Sequence, residues 1–261
     1  MPGAGELGCL LIHGLTGSPA EMTPVAERLA GRHPLWVTRV AGHDTTPADL
    51  AQTSWRDWYH SAEAGLEALL TVRPRVVVIG LSMGALLAMR LAIEQTTEVA
   101  GLVLLSPAME VRRISWWLRT PIELAATLDE RVPLARQLLA KVAFPKRGSD
   151  IADPDVRRTH PGYRRVPLRA LFNLSRLQEA AAAHARVITQ PTLVMHAVQD
   201  HTCPVAAART MYETLPSTRK RLILLEDSFH VITVDRERAR VLDEIDAFVT
   251  ERATETIKSS T

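Results

Sequence analysis

Ser82 stands in the run Ile79-Gly80-Leu81-Ser82-Met83-Gly84, where an apolar β-branched segment stops and a helix-forming segment begins. The spacing Gly-x-Ser-x-Gly reads as a strand, a tight turn and a helix, because glycines on both sides of the serine let the strand and helix close on each other. The hydroxyl is then pushed out at the apex, where a nucleophile belongs. A serine is a poor nucleophile at neutral pH, so this reading demands a histidine base, a carboxylate to orient it and two oxyanion donors elsewhere in the chain. A glycine-flanked turn with an incidental serine would demand none of them.

The elements that must position such groups follow from periodicity. Apolar runs at 7–12, 35–40, 76–79, 99–105, 192–196 and 221–225 read as strands. Helical patterns lie between them: 19–30, with Ser18 as N-cap and Glu21 as capping-box partner; a long helix from Thr53 or Ser54 carrying Trp55, Trp58, Leu66, Leu69 and Leu70 on one face; 83–94; 204–215; and 235–250, followed by a polar tail expected to fray. Strands with no polar face, alternating with helices, predict an α/β fold: a mostly parallel sheet flanked by helices on both sides. The alternation fails over 107–186. That stretch has no good strand pattern, and its helical patterns at 114–118, 121–128, 133–144 and 168–186 read as a helical insertion. The expected organisation is a core of residues 1–106 and 187–261 with 107–186 inserted.

Open α/β sheets build their sites at the carboxyl ends of the strands. His230 lies just past the last strand and Asp200 just past the one before it, in the chain order Ser, Asp, His. His230 is therefore the expected base for Ser82, and Asp200 the carboxylate that holds its tautomer. Asp227 is the rival acid and His201 the rival base. One oxyanion amide should come from Met83, at the amino end of the helix after the serine; the other should come from Leu15, in His13-Gly14-Leu15-Thr16-Gly17. His13, His43 and Asp44 read as loop organisers.

Bulk composition narrows the classes. At 261 residues, with 46% hydrophobic and 23% charged, the chain can bury the core of one large α/β domain. Two cysteines, Cys9 and Cys203, make no disulfide framework, no Cys/His spacing suits zinc, and neither a metal nor a cofactor is called for. The first eight residues lack the basic start and apolar run of a leader, and no stretch reaches the ~20 apolar residues of a membrane span, so a cytoplasmic protein is expected. No nucleic-acid partner is expected. Charge is distributed unevenly: 107–186 holds fifteen Lys and Arg against eight Asp and Glu, although the net charge is only +2. Solvated helix faces explain most of that basic region, which includes Lys146, Arg147, Arg157, Arg158, Arg164, Arg165 and Arg169. Trp116 and Trp117, next to Arg112 and Arg113, are candidate substrate contacts, and the same surface could touch a lipid interface transiently.

The segments Leu10-Leu-Ile-His-Gly-Leu-Thr-Gly-Ser-Pro19, Gly42-His43, Trp55-Arg-Asp-Trp58, Ile79-Gly-Leu-Ser-Met-Gly84 and Ser228-Phe-His-Val-Ile-Thr-Val-Asp235 resemble the small bacterial carboxylesterase and monoacylglycerol lipase group of the α/β-hydrolase superfamily. The resemblance implies the triad Ser82, Asp200 and His230, an oxyanion hole at Leu15 and Met83, and a cap or lid at 107–186. It implies a cofactor-free serine esterase acting on small esters or lipids of short to medium acyl chain, through an acyl-enzyme. Two departures stand out: Ala197 occupies a position where glycine is common, and Phe229 replaces a small residue beside the base, where it could narrow a substrate pocket. Lysophospholipase, thioesterase and carbon–carbon hydrolase share this triad. A ligand-binding protein on a retained hydrolase scaffold is the reading from a different class.

Overall fold

A computed structural model of the chain describes residues 7–111, 132–146 and 148–260. Six parallel strands form the central sheet: β1 (Leu7–Ile12), β2 (Leu35–Thr38), β3 (Arg75–Leu81), β4 (Val99–Leu105), β7 (Thr192–Ala197) and β8 (Lys220–Leu225). Their order is β2-β1-β3-β4-β7-β8. The chain steps from β1 to one side for β2 and then to the other for β3, which creates a topological switch point between β1 and β3. The loops after these two strands lie at the carboxyl end of the sheet, where open α/β sheets place their sites.

Side chains of β1 and β3 alternate between two cores. Leu10, Ile12, Val76 and Val78 face one, while Leu7, Cys9, Leu11, Val77 and Ile79 face the other. The first core is closed by α3 (Trp55–Leu70), α4 (Met83–Glu94), α7 (Leu168–Ala183) and α8 (Val205–Thr214); the second is closed by α1 (Thr23–Leu29) and α9 (Arg238–Ser260). Each fully buried large apolar side chain contributes about 1.5–3 kcal/mol, so the near-complete burial of β1, β3 and β4 explains why these strands show no polar face. α3 starts at a capping box between Ser54 and Asp57, and the short α2 (Pro47–Gln52) at another between Thr46 and Asp49. Such caps contribute about 1 kcal/mol each. No helix among the described residues is long and apolar enough to cross a membrane.

The stretch from 107 to 186 departs from the sequence reading. α5 (Pro133–Leu139) ends early, and β5 (Ala143–Pro145) and β6 (Arg165–Pro167) pair antiparallel as a small second sheet. Three-residue strands that each contain proline leave no period-two signal. The helices expected at 114–118 and 121–128, together with Trp116 and Trp117, lie outside the described residues. α6 (Pro154–Thr159) and α7 complete the segment. Arg169, expected on a solvated face, is buried and donates to the Ala51 carbonyl. At the carboxyl terminus, α9 runs on to Ser260 instead of fraying at 250.

Candidate active site

The turn after β3 is built by close contact. A Cβ on Gly80 would fall 2.2 Å from the Gly84 carbonyl oxygen, and one on Gly84 would fall 2.2 Å from that of Ile12. Only hydrogen fits at either place, so α4 can start immediately after β3 and lie against β1. Ser82 takes φ 58° and ψ −113° at the junction, a conformation that costs a non-glycine residue about 1–3 kcal/mol. Its amide donates to the Leu105 carbonyl at 2.8 Å, and its carbonyl accepts from Ala108 at 3.3 Å. The hydroxyl is left facing the loop after β8.

His230 and Asp200 meet it there. His230 Nε2 lies 2.9 Å from Ser82 Oγ, and Nδ1 lies 2.7 Å from Asp200 Oδ2. Asp200 is itself held in place, because its Oδ1 accepts the main-chain amides of Thr202 at 2.8 Å and Cys203 at 2.7 Å. The carboxylate can only accept, so His230 carries its proton on Nδ1 and presents a bare Nε2 to the serine. Burial works against protonation of His230, but the charge and hydrogen bond of Asp200 outweigh it, and the imidazole is held above the ordinary histidine range. Burial likewise raises Asp200, while the facing His230 more than reverses this and keeps the carboxylate below its usual value. Both shifts stabilise the imidazolium–carboxylate pair that forms when His230 takes a proton.

The rival residues are engaged elsewhere. His201 is exposed and bonds Asp150 at 3.0 Å, with the Phe229 ring edge-on to it at 4.4 Å. Asp227 is exposed at the protein surface. His13 is fully buried, accepts the Val40 amide on Nε2 at 3.2 Å, and therefore donates from Nδ1 to Gly14 O. It ties the ends of β1 and β2 together and is held neutral, its pKa lowered to about 4 by burial. His43 packs edge-on against His13 and Trp58.

Leu15 sits on the loop that crosses the serine, since an ideal Cβ on Gly14 would lie 3.2 Å from Ser82 Cβ. Met83 opens α4 beside it. Among the described residues, neither amide donates to a backbone carbonyl outside the helices and strands; Met83 stands at the head of the α4 dipole, where an anionic oxygen is favoured.

Two acidic residues shape the site in ways their local sequence did not reveal. Glu21 is not a capping-box residue: Ser18 makes no side-chain cap, and the chain enters α1 through a 3₁₀ turn at Pro19–Met22. The Glu21 carboxylate turns inward and accepts the Gly14 amide at 3.0 Å, anchoring the loop that carries Leu15. It is buried, and burial raises its pKa beyond what the Gly14 amide, Lys146 and His230 offset. Asp235 is also buried, and it accepts the amides of Phe229 and Ala152, both at 2.8 Å, and of Asp153 at 3.0 Å. It thereby clamps the His230 loop to the 150–153 stretch. Spacing to Ser18 hid the role of Glu21, whereas the sequence around Asp235 held no local signal beyond the motif it closes. Among the described residues, no group of three or more His, Cys, Asp or Glu is arranged to hold a metal ion.

Comparison with known proteins agrees with this architecture. The family model described as "Serine aminopeptidase, S33" matches residues 7–237. The chain is 30% identical over 240 residues to a thermostable monoacylglycerol lipase of Bacillus sp. (strain H-257), covering 92% of this chain and 88% of that protein. It is 24% identical over 247 residues to a carboxylesterase of Bacillus subtilis (strain 168), covering 94% and 93%. A solved structure from work on LipS and LipT, two metagenome-derived lipolytic enzymes, superposes with a TM-score of 0.83 at 27% identity, over 96% of this chain and 99% of that one. The chain belongs to the serine aminopeptidase, S33 family, and is a serine hydrolase of the α/β-hydrolase fold, similar to carboxylesterases and monoacylglycerol lipases.

Proposed function

We propose that this enzyme cleaves carboxylic esters of short to medium acyl chain, monoacylglycerols among them, through an acyl-enzyme on Ser82. The continuous hydrogen-bond chain from Ser82 Oγ to His230 (2.9 Å) and on to Asp200 (2.7 Å) carries the reading. The names of the two Bacillus relatives support the substrate class. In the first step Ser82 Oγ bonds the ester carbonyl carbon as its proton passes to His230 Nε2, and Asp200 stabilises the imidazolium. Negative charge collects on the former carbonyl oxygen, where the Leu15 and Met83 amides receive it. A donor of this kind contributes on the order of 2.7–4 kcal/mol to the transition state. Collapse breaks the ester C–O bond, and His230 returns the proton to the departing alcohol. A water molecule then attacks the acyl carbon with His230 again taking the proton, and Ser82 is released protonated.

Residues 107–186 correspond in this reading to the family's cap, and Phe229, next to His230 in the chain, narrows the substrate pocket. The test is covalent labelling with a fluorophosphonate, alongside hydrolysis of p-nitrophenyl esters of increasing chain length. Wild-type protein should be labelled at Ser82 and turn over the shorter esters, while Ser82→Ala does neither. Equal labelling of the two proteins, or no ester turnover, overturns the proposal.

A further inference from the structure

We propose that a basic cleft beside the Gly14–Thr16 loop binds a phosphate group on the alcohol side of the substrate, making phosphorylated monoacyl esters a preferred substrate class. The proposal rests on the ester-hydrolase reading of Ser82. The cleft has a volume of about 530 Å³ and is lined by Lys146, Ser149, Arg157, Arg158, His160 and Arg164. Three arginines and one lysine thus line the same open concavity. Asp155 pairs with Arg158 at 3.0 Å. Among the described residues, Arg157 and Arg164 have no carboxylate within ion-pair distance. Like charges gathered in a concavity repel one another, and an anion relieves that repulsion; guanidinium forks match phosphate oxygens two at a time.

The back of the cleft explains why the ligand must be an anion. The His160 ring is pinned by Ser149 Oγ at 2.7 Å from Nδ1, with Nε2 3.7 Å from the buried Glu21 carboxyl. Burial and the nearby Lys146 keep His160 neutral, with its pKa lowered to about 4. Glu21 therefore lies behind an uncharged ring, and the cleft itself presents positive charge.

Its position ties it to the reaction. Lys146 Nζ donates to Thr16 Oγ1 at 2.9 Å, and the Tyr163 amide donates to the Thr16 carbonyl at 3.0 Å. Thr16 is two residues from Gly14, which rests on Ser82. Two residues of chain reach at most about 7 Å. Lys146, whose amide also donates to the Arg164 carbonyl at 2.8 Å, thus joins the cleft to the loop that rests on Ser82; in this proposal a molecule with its ester at Ser82 runs along that loop to put its phosphate in the cleft.

The experiment compares wild type with the double variant Arg157→Glu/Arg164→Glu on three soluble esters: p-nitrophenyl butyrate, a neutral monoacylglycerol and the acylglycerol 3-phosphate of the same chain. The variant should keep kcat/KM within about twofold on both neutral esters, which also shows that it folds, and lose at least about tenfold on the phosphate ester. In wild type, raising the ionic strength from about 0.05 to 0.5 M should depress only the phosphate ester, and glycerol 3-phosphate should compete with it. Equal relative rates in the two proteins overturn the proposal. So does calorimetric binding of inorganic phosphate without preference for the phosphorylated ester, which would mark a free-anion site. Loss of binding to anionic vesicles in the variant, with soluble phosphate ester turned over normally, would instead mean docking on a lipid surface and also overturns it. If wild type cleaves none of the three esters, the ester-hydrolase reading itself has failed.

Discussion

Replacing Asp200 with asparagine tests the proposed chemistry at a single atom. Oδ1 of Asp200 accepts two main-chain amides, from Thr202 and Cys203, and Oδ2 faces His230 Nδ1 at 2.7 Å. In Asp200→Asn the amide oxygen must take the Oδ1 place, because an NH₂ there would leave two buried N–H donors unpaired, at about 1–3 kcal/mol each. The NH₂ then falls opposite His230 Nδ1 and can only donate. His230 is driven to the tautomer protonated on Nε2, which cannot take the Ser82 proton. Loss of the right tautomer in a serine–histidine–carboxylate site lowers kcat by about 10⁴, or about 5 kcal/mol at 1.36 kcal/mol per tenfold. Steady-state kinetics on a p-nitrophenyl ester should show that loss in kcat with KM little changed, and a shift of the imidazole proton resonance should report the tautomer. Asp227→Asn, at an exposed position, should stay within about twofold of wild type. An Asp200→Asn enzyme with more than a tenth of wild-type activity, or a larger loss in Asp227→Asn, refutes the reasoning.

Other outcomes follow from the same geometry. Activity requires His230 unprotonated, and its pKa is raised above the ordinary 6.5, so kcat/KM should rise with pH through an acid limb whose midpoint lies above 6.5; a midpoint below that value contradicts the pairing with Asp200. Glu21→Ala frees the Gly14 amide and should cost about tenfold in kcat with little change in KM, while Glu21→Gln, which can still accept that amide, should restore most of it. Glu21 has a folded-state pKa raised above 4.5 by burial. Its ionisation therefore lowers stability as pH rises through that folded value, and Glu21→Gln should have the higher Tm at pH 8 but not below pH 4.5, as scanning calorimetry can check. Ser82→Gly relieves a positive φ and should be more stable than Ser82→Ala by about 1 kcal/mol, some 2–4 °C in Tm; equal melting temperatures would show that the turn is not strained.

Much of this protein is legible in its sequence because the relevant signals are local. Short β-branched apolar runs such as Val76 to Ile79 suit strands buried on both faces, and the structure returns the six expected strands with ends shifted by at most a few residues. The Gly80-x-Ser82-x-Gly84 spacing encodes a contact within one turn of chain, so the elbow could be read without a partner. The order of Ser82, Asp200 and His230 also pointed to three strand ends, and the sheet topology brings those ends to one edge. What only the tertiary structure decided are contacts whose partners lie far apart and leave no mark on their neighbours. Glu21 looked like a capping residue because Ser18 stands three residues before it, but its carboxylate turns inward and accepts the buried Gly14 amide. Arg169 looked like one more surface charge until Ala51 gave it a buried carbonyl. Asp235 gained its role from main-chain amides more than 80 residues earlier in the chain. Local periodicity sets which segments become strands and helices, whereas the need to satisfy each buried polar group is met by whatever the fold brings alongside.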